Sequence, residues 1–355
     1  MKKIMFYINA IHHGGAERVM VNLTKQFAEN GNDCVLVTSF IDEWEYPVSD
    51  NVKRISLFEK EIPGALRRNV RLVWALRRLI KQEKPNLLIS FMAQPNYRAL
   101  VACIGLKTKN LISIRNDPNR EYAGRINTFL AKTLFKLADG VVFQTEEAKS
   151  WFPQSIQNKS RVIYNQVDKR FYDTEYHEER RDIVTTGRLV KQKNHELLIK
   201  AFSMIADQID DNLIIYGDGE LREELEALIE KLGLMNRVFL PGATKDVPNT
   251  IKSAKLFVLS SDYEGMPNSL MEAMALGLPC ISTDCPCGGP KMLFGELLQN
   301  NLVPIGNQKL LADQMLNNIV FCRNGQIERE ISKVFEPNSI FQKWKSYIDE
   351  LVVEN

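Results

Sequence analysis

The chain has 355 residues, of which 45% are hydrophobic and 25% charged, and these proportions of an ordinary globular protein exclude the disordered and fibrous classes. The length is enough for two domains of about 150 to 180 residues each. The net charge of +2 is unevenly spread: residues 1–160 contain 24 Lys and Arg against 15 Asp and Glu, whereas residues 161–355 contain 22 against 29. A basic first half predicts an anionic partner, either a membrane surface or nucleic acid.

The first residues, MKKIMFYIN, combine two lysines with a short apolar run and no small-residue cleavage site, so we expect a first strand and not a signal peptide. No apolar run approaches the ~18 residues that a spanning helix needs. The six cysteines are then expected to be reduced thiols in a cytosol. Cys285 and Cys287 form a C-x-C without a second ligand pair, so we do not expect a zinc site.

Short aliphatic or β-branched runs alternate with amphipathic helical stretches along the chain, which is typical of parallel α/β architecture. The predicted strands are KIMFYIN, CVLVTS, NLLISF, NLISI and GVVFQT in the first half, and DIVTTG, NLIIYG, RVFLPG, LFVLSS and PCISTD in the second. Two successive sheets of this kind predict two doubly wound α/β domains.

The predicted domain boundary lies near residue 165, before the charged and aperiodic stretch KRFYDTEYHEERR, which has the composition of a linker. We therefore assign residues 1–165 to the first domain and 166–338 to the second. The final segment, 339–355, contains SIFQKWKSYIDELVVE and predicts an amphipathic helix that packs back across the linker.

Ligands of open α/β sheets bind beyond the carboxyl ends of the strands, so the strand-to-helix loops are the candidate sites. The loop after the first strand, NAIHHGGAER, contains Gly14 and Gly15 before a helix predicted to begin near Ala16. The two glycines predict either a tight turn or the close approach of an anion to the helix N-terminus. The absence of G-x-G-x-x-G counts against a nicotinamide or flavin site. His12 and His13 are either substrate contacts or surface and packing residues.

A second candidate loop, TTGRLVKQKNHE, follows the first strand of the second domain. Gly187 allows the turn, and Arg188 and Lys193 follow it. Two cations at this position can clamp a diphosphate and neutralise the charge of a leaving group. The alternative is a solvated basic loop without a ligand.

The stretch DYEGMPNSLMEAMALGLPC carries Glu264 and Glu272, eight positions apart. Pro267 prevents a continuous helix from Glu264, so the predicted helix has Asn268 or Ser269 as its N-cap, with Glu264 in the loop and Glu272 in the first turn. The free amides of the helix start predict a phosphate site between the two carboxylates. Each carboxylate can accept two hydrogen bonds from vicinal hydroxyls, so the stretch fits a nucleotide-sugar.

Four stretches together resemble the retaining glycosyltransferases of family 4: G-G-A-E-R, G-R-L-x-x-x-K-N, Y-G-D-G-x-L and E-G-M-P-N-S-L-x-E-A-M-A-x-G-x-P, in this order. The resemblance covers nearly the whole chain, and its E-x7-E element is highly specific. It implies the GT-B fold, in which two Rossmann-like doubly wound domains face each other across a cleft. It also implies transfer of a hexosyl group from a UDP-sugar with retention of anomeric configuration, by front-face attack helped by the leaving diphosphate.

The resemblance implies a role for each matching residue. Arg188 and Lys193 would bind the donor diphosphate, Glu264 the donor sugar and Glu272 the ribose hydroxyls. The glycine loop at Gly14 and Gly15 would approach the donor sugar and the acceptor. The remaining donor-binding positions are implied to be Gly187, Met266, Pro267, Asn268, Ser269 and Leu270, the last two through their amides.

One departure from the family concerns the loop after the fourth predicted strand of the first domain. Many relatives carry a histidine there, whereas this chain has Arg115 or Asn116 at roughly that place. An arginine is no base at neutral pH, so its role would be hydrogen bonding or charge stabilisation. We assign both residues, with His13, as possible sugar or acceptor contacts. No Asp-x-Asp occurs in the chain, so we expect no metal or other cofactor.

Residues 63–84 predict a basic amphipathic helix, because six Arg and Lys are interspersed with apolar residues between positions 66 and 81. Such a helix can lie on an anionic membrane, or its apolar stripe can pack on the first sheet with the arginines solvated, and both can hold. The polyprenyl diphosphate acceptors of many relatives also favour a membrane. Nucleic acid is not expected because no recognised binding motif accompanies the charge.

The sequence therefore predicts a bacterial-type enzyme, peripheral on the cytoplasmic face of the membrane, that extends a lipid-linked oligosaccharide for a polysaccharide, capsule, lipopolysaccharide or other glycan. Two alternatives remain open. One is a nucleotide-sugar epimerase of the same fold, and the other is a protein that binds a nucleotide-sugar without catalysis.

Overall fold

The computed structural model describes residues 1–12, 14–42, 44–321 and 324–353. It divides into two compact units, one formed by Met1–Asn165 with Ile340–Asn355 and the other by Gln166–Ser339. Both are parallel α/β units, with seven and six strands, which confirms the predicted fold class.

Among the described residues, unit 1 has seven strands and seven α-helices before the second unit begins. Its strands are β1 Lys3–Ile8, β2 Asp33–Thr38, β3 Lys53–Ser56, β4 Leu87–Phe91, β5 Lys109–Ser113, β6 Gly140–Phe143 and β7 Ser160–Val162. Its helices are α1 Gly15–Glu29, α2 Ala65–Glu83, α3 Ala93–Cys103, α4 Pro118–Glu121, α5 Arg125–Leu134, α6 Glu146–Ser150 and α7 Gln154–Gln157.

Unit 2 repeats the alternation. Its strands are β8 Arg181–Thr186, β9 Leu213–Tyr216, β10 Val238–Gly242, β11 Ala254–Leu259, β12 Cys280–Thr283 and β13 Leu302–Val303. Its helices are α8 Lys169–Asp173, α9 His195–Ser203, α10 Arg222–Lys231, α11 Val247–Ile251, α12 Asn268–Ala275, α13 Gly289–Phe294, α14 Gln308–Val320 and α15 Gln326–Ser332, and α16, Pro337–Val353, follows them.

Both sheets reverse their strand order once. The order is β3-β2-β1-β4-β5-β6-β7 in unit 1 and β10-β9-β8-β11-β12-β13 in unit 2, and every strand pair is parallel. The chain therefore leaves β1 and β4 in opposite directions, and likewise β8 and β11. A crevice opens at the carboxyl ends of such a pair, so the topology provides one candidate crevice in each unit.

All ten predicted strands form, and three further strands, β3, β7 and β13, lie outside the prediction. They are two to four residues long, and β3 has the sequence KRIS. Runs this short and polar carry no strand periodicity. Sheet pairing with β2, β6 and β12 determines them.

The C-terminal helix α16 packs on the core of unit 1. Phe341 contacts Phe27 of α1 edge to face at 4.9 Å between ring centroids, and Trp344 lies 5.9 Å from Phe91. The hydroxyl of Tyr347 accepts a hydrogen bond from the backbone of β6 at 3.0 Å. These buried contacts return the chain end to the unit in which the chain began.

One smaller difference concerns a helix. The stretch predicted as an aperiodic linker contains the short helix α8, whose Phe171 is buried. None of the described helices is long and apolar enough to cross a membrane.

Candidate functional site

The crevice of unit 2 lies between the loops that follow β8 and β11. Side chains tie the two loops together: Gln192 donates to the carbonyl of Tyr263 at 2.9 Å, and Asn194 donates to the Asp262 carboxylate at 2.7 Å. Asn194 has left-handed backbone angles and also caps α9. The two loops thus form one hydrogen-bonded unit at the carboxyl edge of the sheet.

Lys193 and Glu264 form an ion pair within this crevice, with 2.5 Å between Nζ and Oε1. The side chains are only 16% and 9% exposed, so solvent screens the pair less than a surface salt bridge. Ser261 donates to the same oxygen, Oε1, at 2.8 Å. The other oxygen of Glu264 has no hydrogen-bond partner among the described residues, so it is available for a ligand hydroxyl.

Ser261 is itself held by groups from the next strand. The Thr283 hydroxyl donates to the Ser261 carbonyl at 2.5 Å, and the Cys285 thiol donates to it at 3.1 Å. Burial raises the pKa of Cys285 to about 12, so the thiol keeps the proton that it donates. Cys285 therefore supports the position of Glu264, a role that the sequence did not indicate.

Two glycines let the site's backbone segments approach closely. A Cβ at Gly217 would lie 1.8 Å from the carbonyl oxygen of Gly187, and a Cβ at Gly289 would lie 1.9 Å from that of Gly265. A side chain at Gly217 would displace the loop that holds Lys193, and a side chain at Gly289 would displace the loop that holds Glu264. The Gly217 contact gives the Y-G-D-G stretch a packing role.

The helix after the crevice, α12, differs from its prediction at its start. Its N-cap is Pro267, not Asn268 or Ser269, and no side chain caps it. The first intrahelical bond runs from the amide of Met271 to the carbonyl of Pro267. The two preceding amides, of Ser269 and Leu270, therefore have no intrahelical acceptor.

Glu272 is the fifth residue of α12, one or two positions further into the helix than predicted, and is 5% exposed. Met266, Pro267 and Leu270 are also buried, whereas Asn268 is half-buried. The Ser269 hydroxyl is buried and has no hydrogen-bond partner in the part of the chain that the structure describes. This hydroxyl and the amides of Ser269 and Leu270 are polar groups at the start of α12 that a ligand can use.

Arg188 extends into solvent and has no ion-pair partner among the described residues. Its backbone carbonyl accepts a hydrogen bond from Nε2 of His195 at 3.2 Å. His195 is buried, and burial together with the charge of Lys193 lowers its pKa to about 4. The ring is therefore neutral at pH 7, and it anchors the backbone of the loop that presents Arg188.

In unit 1 the structure changes the expected use of the glycine loop. Helix α1 begins at Gly15, and the Glu17 carboxylate lies so close to Gly14 that a Cβ there would be 2.0 Å from Oε2. His12 lies 3.9 Å from Glu17. The helix start that was predicted to attract an anion thus has a carboxylate of its own beside it. His13 lies outside the described residues.

Arg115 follows β5 at the carboxyl edge of the first sheet and is buried. Its guanidinium lies 4.3 Å above the ring of Phe91 and donates to Asn165 at 2.7 Å. Gln144 donates to the same Asn165 oxygen at 2.7 Å. Burial lowers the pKa of Arg115 to about 9, so the group stays charged at pH 7. Asn116 is half-buried and accepts a bond from the next backbone amide.

Two known families match this chain. Residues 168–319 match the family described as Glycosyl transferases group 1, and residues 13–171 match the one described as Glycosyltransferase Family 4. An uncharacterized glycosyltransferase of Methanocaldococcus jannaschii is 31% identical over 287 residues, which are 73% of this chain and 71% of that protein. This chain belongs to the family 4 glycosyltransferases.

Two further similarities describe this glycosyltransferase. An alpha-1,4-N-acetyl-D-galactosaminyltransferase of Campylobacter jejuni, whose name gives a PP-undecaprenol-linked saccharide, is 27% identical over 99% of both chains. HepE of Anabaena, solved with UDP and glucose, superposes with a TM-score of 0.82 and 19% identity over 98% of this chain and 100% of that one. The structural likeness identifies the fold, which is of the GT-B class.

The predicted residues of the glycosyltransferase fall into two groups. The structure brings Gly187, Lys193, Glu264 and the start of α12 together at the crevice of unit 2, while Arg115 and Asn116 lie at the sheet edge of unit 1. Within the described ranges, no group of three or more His, Cys, Asp or Glu side chains is placed to hold a metal ion.

Proposed function

We propose that this glycosyltransferase moves a hexosyl group from a UDP-sugar to a lipid-linked acceptor, a polyprenyl diphosphate oligosaccharide, in bacterial polysaccharide or glycan assembly. The Campylobacter relative named for a PP-undecaprenol-linked saccharide supports the acceptor class. HepE, with UDP and glucose bound, supports the donor class.

The observation that carries the proposal is the Lys193–Glu264 ion pair beside the start of α12. The cation, a carboxylate oxygen without a partner among the described residues and the amides of Ser269 and Leu270 lie at one crevice, and a nucleoside diphosphate sugar needs all three kinds of group. The amides and the positive end of the helix dipole favour phosphate. The free oxygen of Glu264 suits a sugar hydroxyl, and Glu272 would accept the two ribose hydroxyls.

Departure of the diphosphate is the step that these residues would assist. As the bond from the anomeric carbon to the phosphate oxygen breaks, negative charge grows on the UDP leaving group. Lys193 and the exposed Arg188 would stabilise that charge, and Arg188 has the freedom to close on the ligand. The acceptor hydroxyl then attacks from the same face and gives its proton to the leaving diphosphate, so configuration is retained. No step is assigned to a metal or another cofactor.

Residues of unit 1 would contact the acceptor and the sugar. These residues are the loop at Gly14 and Gly15, His13, Arg115 and Asn116. Arg115 is buried with neutral partners, so an anionic or hydroxyl-rich ligand would improve its environment. The exposed basic residues of α2 would hold the enzyme peripherally on the inner face of the cell membrane, where a lipid-linked acceptor is presented.

The test is a screen of nucleotide-sugars, first for saturable binding and then for turnover with and without a polyprenyl diphosphate acceptor. We expect one UDP-sugar to bind, slow release of UDP without acceptor, and a product that keeps the donor's anomeric configuration by NMR. Release of an epimerised free sugar, with no transfer to any acceptor, would instead identify an epimerase. Binding without any turnover would identify a non-catalytic protein.

A further inference from the structure

Helix α5 presents its apolar side to solvent. Ile126 is 76% exposed, Phe129 67% and Leu130 38%, while Ala131 is the buried residue of the helix. The spacing i, i+3, i+4 places the three on one face, so the face that an amphipathic helix normally buries is here uncovered. Large exposed apolar faces mark interaction surfaces.

This orientation follows from contacts next to the helix. The turn Phe135–Leu137, which continues α5, inserts Phe135 into an aromatic cluster, 5.2 Å from the ring of Tyr97 and 5.8 Å from that of Phe152. Phe135 is fully buried. The aromatic anchor thus attaches the helix to unit 1, and its own apolar face is left outward.

Helix α2 has a second exposed stripe. Leu72, Leu76 and Ile80 are buried, which confirms that α2 packs on the first sheet. Leu66, Val70 and Trp74 are 81%, 49% and 70% exposed, at i, i+4 and i+8. The sequence grouped both stripes into one apolar face, and the structure separates them.

Both helices cover the same side of the first sheet. Leu76 of α2 packs with Met5 of β1 and Ala99 of α3 in one core cluster. Tyr97 of α3 contacts Phe135, and Phe135 reaches β6 through Phe152 and Phe143. Helices α2, α3 and α5 therefore form one layer, whose outer surface carries both exposed stripes.

This layer is strongly basic. Residues 118–137 contain four basic residues, Arg or Lys, and one acidic residue, Glu121. Residues 65–83 contain six basic residues and one acidic residue. One Glu121 oxygen accepts from the backbone amide of Ala93 and the other is buried, so this acid does not offset the surface charge. Arg77 binds backbone carbonyls at the end of α3, which removes it from the arginines predicted to face a membrane.

We propose that the apolar face of α5, together with the Leu66–Val70–Trp74 stripe of α2, is a docking surface that binds the face of an anionic lipid bilayer. Apolar side chains flanked by Arg125 and Lys136 match the boundary between acyl chains and acidic headgroups. A basic protein partner would be repelled by this surface, whereas an anionic bilayer supplies acidic headgroups and an apolar layer together, which matches basic residues beside two apolar stripes. The inference rests on the lipid-linked acceptor of the proposed function and names the surface that reaches it.

The experiment measures partition of the full chain onto vesicles of phosphatidylcholine alone or mixed with phosphatidylglycerol. The double variant Ile126→Ser/Phe129→Ser should lower the partition coefficient on mixed vesicles by about tenfold or more. The matched control, Phe321→Ser, changes a residue of unit 2 that is 76% exposed, and it should bind as the wild type does. Arg125→Gln/Lys136→Gln should weaken binding to mixed vesicles and leave the weak binding to neutral ones unchanged.

Unchanged vesicle binding by the Ile126/Phe129 variant would overturn the proposal that this surface docks on a bilayer. Loss of a dimer in sedimentation velocity, with vesicle binding intact, would assign the face to a second copy of the chain and overturn it equally. Release of UDP from the donor without acceptor is the separate readout of the proposed function. Because the α5 variants leave the unit 2 crevice intact, they should keep that activity, so a failure of the surface and a failure of the function give different results.

Discussion

The carboxyl edges of the two sheets handle charge differently. In unit 2 the half-buried cation Lys193 is matched by the buried carboxylate of Glu264 at 2.5 Å. In unit 1 the buried guanidiniums of Arg98 and Arg115 bind the side-chain oxygens of asparagines, at 2.6 and 2.7 Å, and neither has an ion-pair partner among the residues described.

Buried charges are normally paired, because an unpaired one loses its hydration without compensation. The Lys193 charge of unit 2 is therefore balanced before a ligand binds, and its ammonium group has further donors for a ligand oxygen. Unit 1 keeps positive charge that a ligand can still neutralise. This difference predicts that variants of unit 2 change binding and turnover of the donor. Variants of unit 1 should change transfer to the acceptor.

The largest expected effect is that of Lys193→Ala. The variant removes the cation for the leaving diphosphate and leaves the Glu264 carboxylate without its partner, so turnover should fall by about 10² or more. Steady-state transfer kinetics measure it, and Arg188→Ala should act in the same direction. Lys191→Ala, an exposed lysine of the same turn, is the control and should keep normal turnover. Near-normal transfer by both the Lys193 and the Arg188 variants would contradict the proposal that these residues clamp the diphosphate.

The two units should also respond to pH with opposite signs. In unit 1, burial raises the pKa of Glu121 from 4.5 to about 7, so between these values the folded state holds a proton that the unfolded state has lost. Stability then falls as pH rises from 4.5 to 7, by about 1.4 kcal/mol per pH unit. All four tryptophans belong to unit 1, so tryptophan-monitored urea unfolding measures it. Glu121→Gln should flatten the slope, and an unchanged slope would contradict the assignment.

In unit 2, the pKa of buried His195 is lowered from 6.5 to about 4, so over this interval the unfolded state binds the extra proton. Stability is complete above pH 6.5 and falls on acidification, again by about 1.4 kcal/mol per unit. Unfolding by far-UV circular dichroism reports both units, and the part without a tryptophan signal belongs to unit 2. His195→Gln should abolish the loss on acidification. If the variant keeps it, another group of unit 2 is responsible.

Glu272→Gln sharpens the donor side of the comparison. If Glu272 accepts both ribose hydroxyls, the amide loses one acceptor position, and the KM for the donor should rise about tenfold with kcat nearly unchanged. A fall in kcat at constant KM would show instead that Glu272 acts on the reacting centre. Glu296→Gln, at an exposed glutamate of unit 2, serves as the control.

The smallest effect is expected from Arg115→Met, which tests the acceptor side. The methionine keeps apolar contact with Phe91 and removes the charge, so transfer to the acceptor should fall severalfold while release of UDP without acceptor stays normal. Arg120→Met, at an exposed residue of the short helix α4 that follows, is the control. Equal loss of both activities would place Arg115 on the donor and abolish the division between units.

Much of the donor site could be predicted because its chemistry is local. Lys193 and Glu264 each belong to a short motif after a strand, and parallel strands bring such loops to one edge of the sheet. The N-cap of α12 could not be predicted, because Asn and Ser are locally favoured whereas close packing of Gly265 on Gly289 holds the loop that leads into Pro267. The support of Glu264 by Cys285 joins residues 21 positions apart and depends on the order of the strands.

In unit 1 the prediction was weaker for a related reason. Periodicity identified α2 as amphipathic, but the same pattern does not tell which apolar residues meet the sheet. The outward face of α5 was missed because it depends on where Phe135 is anchored, at Tyr97 and Phe152. The anion site expected at Gly14 has the Glu17 carboxylate beside it, a contact set by a side-chain conformation.

The sequence by itself determined the two α/β units, ten of their strands, the family and the residue types of the donor site, because strand periodicity and loop motifs are properties of neighbouring residues. Only the tertiary structure decided which charges meet. It paired Lys193 with Glu264, gave Arg98 and Arg115 neutral partners, and turned the apolar side of α5 outward, because these outcomes depend on strand order and on packing between segments that are distant in the chain.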